Sequence, residues 1–150
     1  MDRKAIVAGL VAAAIALSPS VSPAHEGATG IVKERMDAMT RAGKAMKEAG
    51  ERIKAKRDLT AIKDDARTVT EVAARIVDEF PPGSDQHPTD AKPEIWVRWD
   101  DFATRAGALG REGDALAAAV DSGDPDAIAR QFRTVGRVCG DCHDLYRIKR

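Results

Sequence analysis

Val138-Cys139-Gly140-Asp141-Cys142-His143-Asp144-Leu145-Tyr146-Arg147, almost at the end of a 150-residue chain, holds both of its cysteines. A histidine directly follows the second, and Cys-x-x-Cys-His is the attachment pattern of c-type haem. On a helix, Cys139, Cys142 and His143 fall on neighbouring turns of one face. Two thioether bonds would hold the porphyrin of a single haem c, and the adjacent imidazole would reach the iron as proximal ligand. Other readings use fewer of these residues. Structural zinc needs four ligands, and neither His25 nor His87 completes the set at a usual spacing. A thioredoxin-like redox pair would follow a strand pattern, and none precedes Val138. A disulfide here would close too small a loop to stabilise much.

The first residues read as an export signal. Arg3 and Lys4 form a basic start, residues 5–17 are apolar without interruption, and Ser22-Pro23-Ala24 ends in a small residue suited to cleavage. The apolar run falls short of the roughly 18 to 20 residues that span a bilayer, so a cleaved signal peptide over residues 1–24 is expected in place of a membrane anchor. The mature chain would begin near His25 in the periplasm. Residues 25–150 are enough for one domain around one core.

The 24 basic and 24 acidic residues become 22 and 23 once Asp2, Arg3 and Lys4 leave with the signal. That balance gives no argument for a nucleic-acid partner. Alanine is abundant and only 4% of the chain is aromatic, which favours helix almost throughout. A first helix is predicted over residues 30–49, with Val32, Met36, Met39, Gly43 and Met46 on one stripe and Gly50 as its stop. A basic turn, Lys54-Ala55-Lys56-Arg57, reads as a solvated loop, or as a docking patch for an acidic partner. Asp58 would then cap a second helix carrying Leu59, Ile62, Ala66, Val69, Val72, Ala73, Ile76 and Phe80, ended by Pro81-Pro82-Gly83. His87 falls in the one long, polar connection and reads as a surface residue.

Pro93 and Glu94 open a third helix that holds Ile95, Trp96, Trp99, Phe102, Ala106 and Leu109. Gly107, Gly110 and Gly113 weaken it without ending it, because Leu116, Ala117 and Val120 continue the pattern. Trp96 and Phe102 are either ordinary core or walls of the haem site. Asp124-Pro125 caps and starts a fourth helix that runs through the haem motif to about Ile148. The fold class expected is all-α, an antiparallel up-down-up-down four-helix bundle.

On these residues the chain resembles the class II c-type cytochromes, which include cytochrome c-prime and the low-spin cytochromes c-556. The likeness rests on Val32-Lys33-Glu34-Arg35 with Met39, on Phe80-Pro81-Pro82-Gly83-Ser84, on Pro93-Glu94-Ile95-Trp96 with Phe102, and on Cys139 to Arg147. The family divides four residues after the helix-one arginine, where the c-prime members carry an apolar residue and an iron open to gases. Here Arg35 is followed by Met39, so the resemblance implies low-spin iron between His143 and Met39. Periodicity alone leaves Met36 and Met46 open, and core filling is the ordinary role of any methionine. The resemblance also implies that Arg35 lies near the haem propionates and Arg147 near the proximal histidine. The alternative for each is an exposed arginine in a weak surface pair.

The function expected is one-electron transfer with periplasmic redox partner proteins, and no catalytic constellation points to an enzyme. The alternative is a five-coordinate protein that binds nitric oxide or carbon monoxide. A helical bundle with an incidental Cys-x-x-Cys-His is a third reading. The resemblance implies a homodimer formed through the first two helices, while the heavily charged surface of the first helix here argues equally for a monomer.

Overall fold

A computed structural model describes residues 27–149; the expected signal peptide, its cleavage site and His25 lie outside the described residues. The helices are α1 Gly30–Ala55, α2 Ile62–Arg75, α3 Glu94–Val97, α4 Trp99–Ser122 and α5 Pro125–Tyr146. No strand is present among the described residues; a single bridge pairs Ala91 with Arg147.

The four long helices form an antiparallel bundle. Cross-links of opposite sequence sense fix each direction: Arg52 to Asp65 between α1 and α2, Lys63 to Asp121 and Thr70 to Asp114 between α2 and α4, and Gln131 to Glu112 and Tyr146 to Asp101 between α4 and α5. The core between them is built from Ile62, Val69, Phe102, Leu116, Ile128 and Val135 among others, each almost fully buried. Burial of such side chains contributes roughly 1.5–3 kcal/mol apiece, the term that holds a bundle of modest helix propensity together. At Gly113 the backbones of α2 and α4 come so close that an added Cβ would lie 2.5 Å from Thr70 Oγ1.

Several boundaries differ from the sequence expectation. Gly50 does not stop α1, which continues to Ala55 and ends on Lys56 in the left-handed region. Its bare Cα serves packing, since a Cβ there would come within 3.1 Å of Phe132 Cζ on α5. Asp58 does not cap α2. It adopts φ 51° and makes no capping bond, and a 3-10 turn, Leu59–Ala61, intervenes. Regular helix in α2 stops at Arg75, with irregular turns carrying the chain on to the buried Phe80. The expected third helix is broken at Arg98 (φ −118°, ψ 46°) into α3 and α4. The Trp96 indole N–H donates to the carbonyls of Phe80 and Pro81 at 3.0 and 3.1 Å, which ties α3 to the irregular segment that follows α2. Asp124 caps α5 as expected, its carboxylate accepting from the Asp126 N–H at 2.9 Å with Pro125 behind it.

Candidate haem site

Cys139, Cys142 and His143 occupy the last two turns of α5. Both thiols are half-buried and pack against the bundle core beside Val138 and Leu145. Burial pushes the Cys139 thiol up and the Cys142 thiol up to about 11, so each sulfur keeps its proton. His143 stays in contact with solvent at the mouth of a cleft of about 380 Å³, lined also by Asp144, Arg147, Ile148 and Lys149. Desolvation on its inner side and the Arg147 charge both hold its imidazole below the usual histidine range, which favours the neutral ring.

Met39 is half-buried on α1 and packs against the same core as the two cysteines. The Gly50–Phe132 contact fixes its level relative to α5. From that contact, Gly50 to Met39 and Phe132 to His143 are both steps of eleven residues along antiparallel helices. Eleven residues make just over three full turns and about 16 Å of rise. Both steps therefore return to the facing sides of α1 and α5 at a common level, whereas Met36 falls nearly a turn beyond His143.

The interface of α1 with α5 is the sparsest of the four between neighbouring long helices. On these two helices Gly43, Gly136 and Gly140 are exposed, and a Cβ on any of them would meet nothing within 4 Å. Two thiols and a thioether against the core, with a neutral imidazole directly after the second thiol, are a donor set that fits a covalently held haem.

The remaining expected residues separate into two groups. Arg147 follows the last turn of α5, its N–H donating to the His143 carbonyl at 3.0 Å, and lies 3.7 Å from Asp90. Phe102 packs edge-on against Tyr146, three residues past His143, with ring centroids 5.4 Å apart. Trp96 turns instead toward Phe80 and Pro81. Arg35 is buried, donates to Ser84 Oγ, the Ser84 carbonyl and Thr89 Oγ1, and lies 4.5 Å over the Phe80 ring. Its burial lowers its pKa despite the nearby Asp85 and Glu79.

Sequence reading missed the cluster that backs the attachment turn. The Tyr146 hydroxyl donates to Asp101 at 2.5 Å, and Arg105 Nε donates to the same oxygen at 2.8 Å. The i, i+4 spacing of Asp101 and Arg105, and Tyr146 one turn after Cys142, were the available signals.

A C-terminal Cys-x-x-Cys-His on the last helix of an antiparallel bundle defines a class II c-type cytochrome. The chain belongs to the Cytochrome C' family, whose family model matches residues 30–147, and its cofactor is haem c. It is 34% identical to cytochrome c-556 of Agrobacterium fabrum over 125 residues, 82% of this chain and 84% of that protein. Cytochrome c' of Thermochromatium tepidum superposes with a TM-score of 0.74 at 25% identity, covering 86% of this chain and 98% of that one. The nitric oxide complex of a variant cytochrome c prime from Alcaligenes xylosoxidans does so at 0.71 and 31% identity, covering 79% and 94%.

Proposed function

We propose that this chain is a periplasmic one-electron carrier in which Cys139 and Cys142 hold the haem and His143 and Met39 are the axial ligands of its iron. The observation that carries the reading is the matched eleven-residue register, which favours Met39 over Met36 as the thioether facing His143. Haem c, when bound, supplies a one-electron iron couple. The protein's part is to hold and shield. Cys139 and Cys142 present two protonated sulfurs at i and i+3 on the inner side of α5. The neutral His143 ring offers a free lone pair, and the Met39 thioether has no proton to lose, so neither donor has to deprotonate to bind. Tyr146 and Phe102 seal the attachment turn from the α4 side.

Export of the chain would set it among periplasmic redox proteins as partners. No helix among the described residues is long and apolar enough to cross a membrane. A second reading, gas binding at an open iron face, is favoured by the nitric oxide complex of the Alcaligenes protein at 31% identity. Spin state separates the two. Replacing Met39 by leucine keeps similar volume at a cost of less than about 1.5 kcal/mol. It should turn a six-coordinate low-spin spectrum into a high-spin one that binds carbon monoxide readily. A wild-type spectrum already high-spin, or one altered by Met36→Leu and not by Met39→Leu, would remove Met39 from the iron.

A further inference from the structure

Residues 84–92 cross the end of the bundle where α1 begins and α5 ends, and are fastened on both sides. On the α1 side, Arg35 stands one turn before Met39 and spends three hydrogen bonds on this segment: to Ser84 Oγ at 2.7 Å, to the Ser84 carbonyl at 2.5 Å and to Thr89 Oγ1 at 2.8 Å. On the α5 side, the Ile148 N–H donates to the Asp90 carbonyl at 2.8 Å, and the Lys92 N–H to the Tyr146 carbonyl at 2.9 Å. Arg147 adds a charge contact to Asp90 at 3.7 Å. Thr89 Oγ1 also accepts from the Ala91 N–H at 3.1 Å, which stiffens the segment between its two anchors.

Directly, α1 and α5 meet only sparsely. Their contact at Gly50 and Phe132 lies eleven residues away from the Met39 and His143 level. About one turn beyond that level the segment ties the helix carrying Met39, through Arg35, to the end of the helix carrying His143.

We propose that residues 84–92 are a positioning strap that sets the separation of Met39 from His143, and thereby how readily a small gas displaces the Met39 thioether from the iron. The inference rests on the reading of Met39 as sixth ligand. A tight strap keeps the thioether at bonding distance and makes the protein a carrier. A slack one populates a state in which Met39 is off the iron, and an incoming gas gains affinity in proportion to that population. Ser84 and Thr89 thus tune ligand choice from a distance, as positioning residues that act through Arg35 and α1.

The test uses ferrous holoprotein titrated with carbon monoxide, with the ferric spectrum recorded for methionine ligation. Ser84→Ala and Thr89→Val each remove an acceptor from the buried guanidinium. Each should tighten carbon monoxide binding, by on the order of tenfold for a charge-assisted hydrogen bond carried fully into the ligand equilibrium. Thr89→Ser keeps the oxygen and should bind like the wild type. Gly113→Ala, which disturbs only the contact of α2 with α4, serves as a control and should leave carbon monoxide affinity unchanged. If Ser84→Ala and Thr89→Val lower the melting temperature but leave carbon monoxide affinity and the ferric spectrum as in the wild type, the strap is merely structural and the proposal is overturned. A wild-type protein that is high-spin removes the Met39 reading itself, and the proposal with it.

Discussion

Three glycines of α4 offer one substitution in three environments. Gly107, Gly110 and Gly113 all sit inside the helix, so replacing each by alanine gains about 0.5–1 kcal/mol of backbone preference. The surroundings then decide the sign. A Cβ at Gly107 meets only the Arg111 guanidinium, at 3.4 Å, the mobile end of a long side chain. At Gly110 it makes ordinary contact with Ala73 Cβ at 3.7 Å. At Gly113 it falls 2.5 Å from Thr70 Oγ1 and 3.4 Å from the Ala66 carbonyl oxygen. Thr70 is stiff at χ1 and its hydroxyl is bonded to Asp114 at 3.2 Å, so rotating away costs that bond. Overpacking of this kind costs about 1–3 kcal/mol, which exceeds the helix gain. Gly107→Ala and Gly110→Ala should stabilise the protein, and Gly113→Ala should destabilise it by about 1–2 kcal/mol. In urea unfolding of the holoprotein followed by circular dichroism, that loss is a midpoint lowered by about 0.5–1 M at unchanged slope. A Gly113→Ala protein as stable as Gly107→Ala would refute the close approach of α2 and α4.

Other outcomes follow from the site. Arg105 and Tyr146 both donate to Asp101 and hold its carboxyl below the usual range. A depressed folded pKa stabilises fully above the unfolded value near 3.9 and is lost as pH falls through the folded one. Asp101→Asn should therefore lower stability at neutral pH and flatten its decline on acidification; an acid limb identical to the wild type would exclude Asp101 as a contributor. Haem should stay with the polypeptide through denaturing electrophoresis, and Cys139→Ala or Cys142→Ala should weaken that retention; pigment that washes out of the wild type would contradict covalent attachment. Mass spectrometry of a periplasmic extract should find an N-terminus near His25, whereas an intact N-terminus pelleting with membranes would favour an anchor.

What the sequence made legible was whatever local chemistry dictates. Asp124 and Pro125 specify a helix start through bonds within three residues, and that start stands as read. The Cys139 to His143 spacing is likewise local. Gly50 misled because a helical glycine has two uses, ending a helix or admitting a neighbour, and only the distant Phe132 decides between them. Asp58 failed as a cap because the chain there turns through the left-handed region, which removes its carboxylate from capping geometry. The strap lay beyond reach for the same reason. Arg35 and Ser84 are 49 positions apart, and neither periodicity nor propensity encodes a contact at that separation.

The equal spacing along α1 and α5 limits how this chain can change length. An insertion of one residue between Met39 and Gly50 would swing the thioether about 100° around its helix and carry it about 1.5 Å along it, out of line with His143. A matching insertion between Phe132 and His143 would restore the common level but leave both groups turned aside. Length can vary without this penalty in the turn after Ala55, and at the junction of α4 with α5, because neither interval lies between the contact and Met39 or His143. The helical stretches from 39 to 50 and from 132 to 143 therefore behave as paired rulers whose graduations must agree.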